Sequence, residues 1–296
     1  MGSEVKEDVF LAQPGTQGKG VRDRTLGRIL LESGKISLQD ADRIINYQKR
    51  EGILFGEAAV KLKLINADDL RRALATQFSY PYVRPGDVKF SKELVTAFNP
   101  FASEAERFRG IRSQLLLHWF NDARRALAVM SPSDGDGRSY VTANLAVAFS
   151  QVGERTLLID ADMRKARQHR IFNVPNDRGL SMVLAELAQD SCEIMLPFFQ
   201  NLALLPAGPT PPNPQELLSR AAFKNLLADC QRRYDVIVVD TPPFGATSDG
   251  EIVASRVGGA VIVVRKSLTR VAELAKLEQR LQDSNVPLVG SIYNCF

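Results

Sequence analysis

The sequence predicts an α/β protein, a doubly wound and mostly parallel sheet preceded by a small all-helical domain, and three observations carry that expectation. From Arg125 onward, short apolar runs alternate with amphipathic helical stretches, as in a parallel sheet covered on both faces. One of those runs leads into a glycine-rich loop and then an apolar-periodic helix. Upstream, Leu26-Gly27, Ile36 and Gln48 recur 29 positions later as Phe55-Gly56, Ile65 and Gln77, so one helical unit is present twice.

Residues 1–20 are rich in Gly, Gln and charge without hydrophobic periodicity and are expected to form a flexible tail. Residues 21–83 make up the helical repeat module. In each copy a short helix (26–33, then 55–62) leads through a turn and an Ile into a second helix. Ser37 or Asn66 opens that helix as N-cap, with acidic residues in the first turn. Leu30, Leu31, Ile44 and Ile45, then Leu62, Leu64, Leu70, Ala73 and Leu74, hold helical spacing. Pro81, Pro85, Gly86 and Pro100 break the pattern, so residues 84–100 read as a linker. Residues 101–296 form the sheet domain: a helix over 103–119, then strands over 126–130, 156–160, 202–205, 236–240, 260–264 and 288–293. Five prolines between 206 and 214 mark a surface loop after the third strand.

A chain of 296 residues, 45% apolar and 24% charged, can bury a core in each domain, which argues against disorder and fibrous repeats. Its longest apolar stretches, such as 257–264, fall short of the roughly 18–20 residues that span a bilayer. Residues 1–8 lack a basic-then-apolar leader. The expectation is a cytoplasmic protein. Cys192, Cys230 and Cys295 are too widely spaced for a metal knuckle and odd in number for a disulfide framework. A net charge of +4 attracts phosphates but is too small an excess for nucleic-acid binding.

The chemistry is concentrated in three places. Behind the strand 126–130 lies Ser131-Pro132-Ser133-Asp134-Gly135-Asp136-Gly137-Arg138-Ser139, then a helix over 140–152. Strand, glycine-rich loop and helix are the setting of a P-loop. Gly135 and Gly137 let backbone N–H groups wrap a triphosphate at the positive end of the helix, and Ser139 offers a hydroxyl to Mg²⁺. The runs 157–164 and 236–243 are both apolar strands that close on aspartate. Ligands of open α/β sheets bind at the carboxyl ends of strands, which puts Asp160, Asp162 and Asp240 beside the loop, able to handle metal and nucleophile.

Together these motifs resemble those of the bacterial P-loop tyrosine autokinases (BY-kinases), in particular the exopolysaccharide chain-length-determinant branch. The resemblance covers residues 100–296, with 131–139 as Walker A, 157–164 as Walker A′ and 236–243 as Walker B. Ala207-Gly208 with the stretch 211–218, and Glu106, Arg109 and Arg112 at three-residue spacing, add to it. It implies ATP and Mg²⁺ as cofactors, the nucleotide lying on Gly135, Asp136, Gly137, Arg138, Ser139 and Tyr140 with its adenine at Asn294. It implies Asp160 as the base that activates a tyrosine hydroxyl, with Arg138 and Asp162 in the catalytic set, and Mg²⁺ on Ser139, Asp162 and Asp240. It also implies a homo-oligomeric ring bridged by Glu106, Arg109 and Arg112, although their spacing describes a solvated helix face equally well. A membrane-anchored polysaccharide chain-length determinant protein is the implied partner, holding the kinase at the inner membrane.

Two positions depart from the family. Arg138 stands where the motif has Lys, a planar fork in place of a compact ammonium. Two functions are therefore open: a tyrosine kinase, or a nucleotide-switched scaffold of the same machinery that binds ATP and transfers poorly. In place of the family's tyrosine-rich C-terminal tail only Tyr293 is at hand, and it is expected to pack within the last strand. The basic run Arg164, Lys165, Arg167, His169 and Arg170 either meets phosphate or an acidic partner or is a solvated face, and His118 beside Trp119 and Phe120 reads as a packing surface. Residues 24–83 are similar to the N-terminal helical module of type II secretion and pilus assembly ATPases, some of which bind cyclic-di-GMP. Thr25 and Leu54 stand where the ligand-binding versions have Arg, and Lys63 where Gly is expected, so a docking module and a cyclic-di-GMP site are both open.

Overall fold

In the computed structural model, residues 25–77, 83, 89–188, 190–245 and 247–295 are described, and the chain divides into two units, Met1–Pro81 and Tyr82–Phe296. The tail expected over 1–20 lies outside the described residues.

In the first unit, α1 (Leu26–Glu32) and α2 (Leu38–Glu51) are followed by α3 (Phe55–Lys61) and α4 (Ala67–Gln77), each helix of the second pair starting 29 residues after its counterpart. The capping chemistry repeats with the same offset. Ser37 Oγ accepts from Asp40 N at 3.1 Å while Asp40 Oδ2 accepts from Ser37 N at 3.1 Å. In the second copy Asn66 Oδ1 accepts from Asp69 N at 2.8 Å and Asp69 Oδ2 from Asn66 N at 3.3 Å. Lys63 (φ +56) adopts the left-handed turn that Gly34 (φ +67) makes in the first copy, so the repeat keeps its turn without its glycine. Ile29, Leu30, Ile44, Phe55, Ala58 and Ala73 form the buried centre.

The second unit opens with α5 (Val95–Phe98) and α6 (Ser103–His118), then β1 (Ala126–Met130), α7 (Arg138–Ser150), β2 (Thr156–Asp160), α8 (Gln168–Ile171) and α9 (Leu180–Leu184). It continues through β3 (Ile194–Met195), β4 (Leu202–Leu205), α10 (Pro214–Ser219), α11 (Ala221–Arg233) and β5 (Val236–Asp240). It closes with α12 (Asp249–Val257), β6 (Ala260–Arg265), α13 (Val271–Asp283) and β7 (Leu288–Asn294). The sheet order is β3-β4-β2-β5-β1-β6-β7, parallel except for β3 against β4. Alternation along β1 shows why both faces are covered: Ala126, Ala128 and Met130 join the core shared with α10 to α13, while Leu127 and Val129 join that of α6 and α7.

Residues 89–100 correct the expected linker. Leu94 and Ala97 are fully buried against α7, and Thr96 Oγ1 donates to Asn144 Oδ1 at 2.9 Å. The prolines end the helical pattern on either side, but the apolar residues between them are sufficient to seat this segment on the sheet unit. The short antiparallel strand β3 was not expected either, since two residues carry no readable period.

Candidate active site

β1 delivers the chain into the phosphate loop and α7 takes it away. Gly135 (φ +82) and Gly137 (φ +98) hold left-handed backbone that a Cβ would strain. Gly137 is the N-cap of α7; no side chain caps that end and no acidic residue lies in its first turn, which leaves the positive helix terminus to an anion. Asp136, fully buried, accepts from Ser133 N at 2.9 Å and from Thr269 Oγ1 at 2.7 Å. Its carboxylate braces the loop from behind, and any contact of this residue with a nucleotide is confined to its backbone.

Arg138 is 5% exposed. Its Nε donates to the Thr241 carbonyl at 2.8 Å, and its Nη1 donates to Ser131 Oγ at 2.6 Å and to the Ser133 carbonyl at 3.1 Å. Nη2 lies 3.8 Å from Asp162 Oδ2. Only a fork with separate donor nitrogens, here Nε and Nη1, ties the loop to the end of β5 in this way; an ammonium has one nitrogen to place.

Asp160 and Asp240 end adjacent parallel strands in register, so their carboxyls are side by side. Asp160 is fully buried; Oδ1 accepts from Asp162 N at 3.2 Å, and Oδ2 from Arg167 N at 3.0 Å and Gln168 N at 2.9 Å. Burial, with the neighbouring Asp240 charge adding to it, pushes the Asp160 pKa well above the carboxylate range despite those amides. Burial also raises Asp240, partly offset by the Arg138 charge and by the polar neighbours Ser139 and Gln168. Asp162, 5% exposed, accepts from Lys165 N at 2.9 Å.

Gln168 belongs to this site although no sequence signal singled it out. Its Nε2 donates to Asp240 Oδ2 at 2.7 Å and to the Ser139 carbonyl at 3.1 Å. Asp240 Oδ1 and Gln168 Oε1 are both buried with no hydrogen-bond partner. Two acceptor oxygens left in that state are costly in a closed interior and suited to a cation. Among the described residues no three His, Cys, Asp or Glu side chains form an all-protein cage. Mg²⁺ at phosphate sites takes only one or two carboxylates beside substrate oxygens, and Ser139, Asp162 and Asp240 fit that demand. Between loop and β5 end opens a cleft of about 330 Å³ lined by Ser133, Asp162, Arg164, Pro242 and Thr247.

The remaining expected residues lie nearby or apart. Asn294 Nδ2 donates to the Asp136 carbonyl at 3.0 Å, and Tyr140 meets Phe108 edge-on at 5.6 Å. Both line a smaller cleft of about 170 Å³. Tyr293 lines it too but is 63% exposed, which corrects the expected packing: β7 is an edge strand whose outer residues have no covering layer. On α6, Arg109 pairs with Glu106 and reaches the Pro100 carbonyl, and Arg112 donates to the Ala148 carbonyl at 3.2 Å. His118 is exposed while Trp119 and Phe120 are buried, so the packing surface is made by the aromatics alone.

A phosphate cradle between strand and helix, flanked by aspartates at neighbouring strand ends of a parallel sheet, defines a P-loop NTPase, and the ParA family, described as NUBPL iron-transfer P-loop NTPase, matches residues 122–295. Within that class the chain belongs to the bacterial tyrosine-protein kinases. It is 32% identical over 206 residues to tyrosine-protein kinase YwqD of Bacillus subtilis (strain 168), covering 70% of this chain and 87% of that one. It is 33% identical over 198 residues to tyrosine-protein kinase etk of Escherichia coli (strain K12), covering 66% of this chain but only 27% of the relative. The solved kinase domain of Escherichia coli ETK is similar with a TM-score of 0.67 at 29% identity, over 72% of this chain and 84% of that domain. No helix among the described residues is long and apolar enough to cross a membrane.

Proposed function

We propose that the chain is an ATP- and Mg²⁺-dependent protein-tyrosine kinase of the autokinase type that regulates the length, polymerisation or export of an exopolysaccharide. The observation that carries this reading is the in-register pair Asp160 and Asp240, with the unpartnered Asp240 Oδ1 beside the uncapped start of α7. In this reading the backbone of residues 135–140 binds the phosphates, Asn294 lies by the adenine, and Ser139, Asp162 and Asp240 hold Mg²⁺. Mg²⁺ held by these residues would supply neutralisation of the phosphate charge. Asp160 takes the tyrosine proton as the phenolic oxygen bonds to the γ-phosphorus and ADP departs; its raised pKa suits a group that must both accept and release a proton.

Regulation in this reading runs through Glu106, Arg109 and Arg112 at subunit contacts and through a membrane-anchored chain-length determinant protein that brings the cytoplasmic chain to the inner membrane. The helical unit serves as a docking module, with cyclic-di-GMP its alternative ligand. A second reading, a nucleotide-switched scaffold that transfers poorly, is favoured by one observation: the Arg138 guanidinium is tied into the loop wall by Ser131, Ser133 and Thr241.

Incubation with γ-labelled ATP and Mg²⁺, with and without the cytoplasmic segment of the membrane partner, separates the two. Label on tyrosine that disappears in Asp160→Ala supports the kinase; nucleotide binding with no labelled tyrosine leaves the scaffold.

A further inference from the structure

Next to the nucleotide cleft lies a larger one of about 660 Å³, a size within the roughly 300–1,000 Å³ of ligand clefts. Arg164 and Lys165 line both, so the two are adjacent and share a wall. The larger cleft sets Arg164, Lys165, Arg167 and Arg170 against the single carboxylate of Glu93. His169 also lines it, but burial and the Arg170 charge lower its pKa, so it adds little charge near neutrality.

These cations differ in availability. Arg164 is committed to Asp249, whose carboxylate is 1% exposed, at 2.8 Å. Lys165 pairs with Asp134 and Arg167 with Glu93, but all four side chains are 40% exposed or more. Ion pairs in that setting contribute little and exchange readily for another carboxylate. Arg170 is exposed and forms no ion pair among the described residues. The wall that carries these side chains also holds the reacting carboxylates, because Arg167 N and Gln168 N donate to Asp160 and Lys165 N donates to Asp162.

We propose that this cleft docks acidic residues flanking the tyrosine to be phosphorylated, so that the substrate class is an acidic, tyrosine-bearing peptide segment, held by Lys165, Arg167 and Arg170. The inference rests on the kinase reading above and names its substrate. A peptide fits better than an acidic polysaccharide because the segment lining the cleft binds buried Asp160 through the Arg167 and Gln168 amides, and in that reading Asp160 receives a tyrosine proton.

The test is fluorescence anisotropy with the full chain, Mg²⁺ and a non-hydrolysable ATP analogue. The probes are a labelled peptide with one tyrosine between glutamates and its counterpart with glutamines. The glutamate peptide is expected to bind about 10-fold more tightly or better, with affinity falling as salt rises, and Arg170→Glu or Arg167→Glu to weaken it about 10-fold at an unchanged thermal melt. Equal affinity of the two peptides, or charge reversals without effect, overturns the proposal. Displacement by oligogalacturonate at lower concentration than by unlabelled peptide overturns it in favour of a polysaccharide ligand. A second assay replaces the analogue with γ-labelled ATP: transfer of label to both peptides with the same KM removes the docking site and keeps the kinase, and tight binding with no transfer removes the kinase and keeps the docking site.

Discussion

Gln168 Nε2 lies 2.7 Å from Asp240 Oδ2, and this bond decides which oxygen of Asp240 is left open. Because the amide also binds the Ser139 carbonyl, one side chain orients both the carboxylate and the start of α7. Groups that orient a metal ligand from behind change metal affinity without touching the ion. Gln168→Leu keeps the volume and removes the bond. A loss of about 10- to 100-fold in Mg²⁺ affinity is expected, read as the Mg²⁺ midpoint of nucleotide binding, with metal-free nucleotide binding nearly unchanged. An unmoved midpoint reduces Gln168 to packing.

The raised pKa values of Asp160 and Asp240 have a sign that can be tested. The folded chain binds these protons more tightly than the unfolded chain, in which the groups titrate near 3.8. Stability of the metal-free protein is therefore full below that value and declines as pH rises through the elevated folded values. Asp240→Asn removes one buried charge, so its metal-free melting temperature at neutral pH should exceed the parent's and fall less with pH. The same variant should lose the stabilisation that Mg²⁺ with nucleotide confers. Melts between about pH 5 and pH 8, with and without Mg²⁺-ADP, decide it; a variant less stable than the metal-free parent at the upper end contradicts the assignment.

Arg138→Lys restores the usual phosphate-loop residue but cannot satisfy Thr241, Ser131 and Ser133 together. A stability loss of about 1–3 kcal/mol is expected from the acceptors left unpaired. If the kinase reading holds, the rate of tyrosine labelling should rise, by up to about 10² if the fork costs the transition state about 3 kcal/mol. Denaturant melts and single-turnover labelling give the two numbers separately. Slower labelling in the lysine variant would mean that this site is built around the guanidinium.

Gly179 has an extended backbone (φ 170°), so its requirement is one of space. A Cβ there would run into the Pro206 carbonyl oxygen and the Gly208 nitrogen, backbone atoms that no rotamer change can move. Gly179→Ala is expected to destabilise the sheet unit by about 1–3 kcal/mol, seen as a lower denaturation midpoint at unchanged slope. An unchanged midpoint would show that the loop after β4 yields.

The legible parts were those with period or punctuation. Six of the seven strands stand in the sequence, five of them because buried parallel strands are runs of apolar residues and β7 as a half-exposed edge strand, and the helical repeat stands there because Gly27 with Gly56 and Gln48 with Gln77 recur at one spacing. β3 escaped because two residues have no period, and residues 89–100 escaped because prolines at their borders look the same whether the segment between is loose or packed. Among the candidate site residues, Asp160, Asp162, Asp240 and Ser139 announced themselves by position at strand and helix ends. Gln168 did not, since a single glutamine after a basic run has no pattern. Asp136 was legible as part of the loop, but the direction of its carboxylate, into Ser133 and Thr269, was not.

The sequence by itself determined six of the seven strands and the longer helices of the repeat and of the phosphate loop, that the helical unit is duplicated, and that the phosphate loop and two aspartate-ended strands exist. These are local facts, set by hydrophobic period, glycine conformation and capping residues a few positions apart. Tertiary structure alone decided that β2, β5 and β1 are neighbours, and therefore that Asp160 faces Asp240 and that Arg138 reaches Thr241, 103 positions away. It also decided that Arg164 and Lys165 border two clefts at once. Strand order depends on how helices pack over both faces of the sheet, a sum of many weak contacts between residues far apart in the chain, which no local pattern encodes.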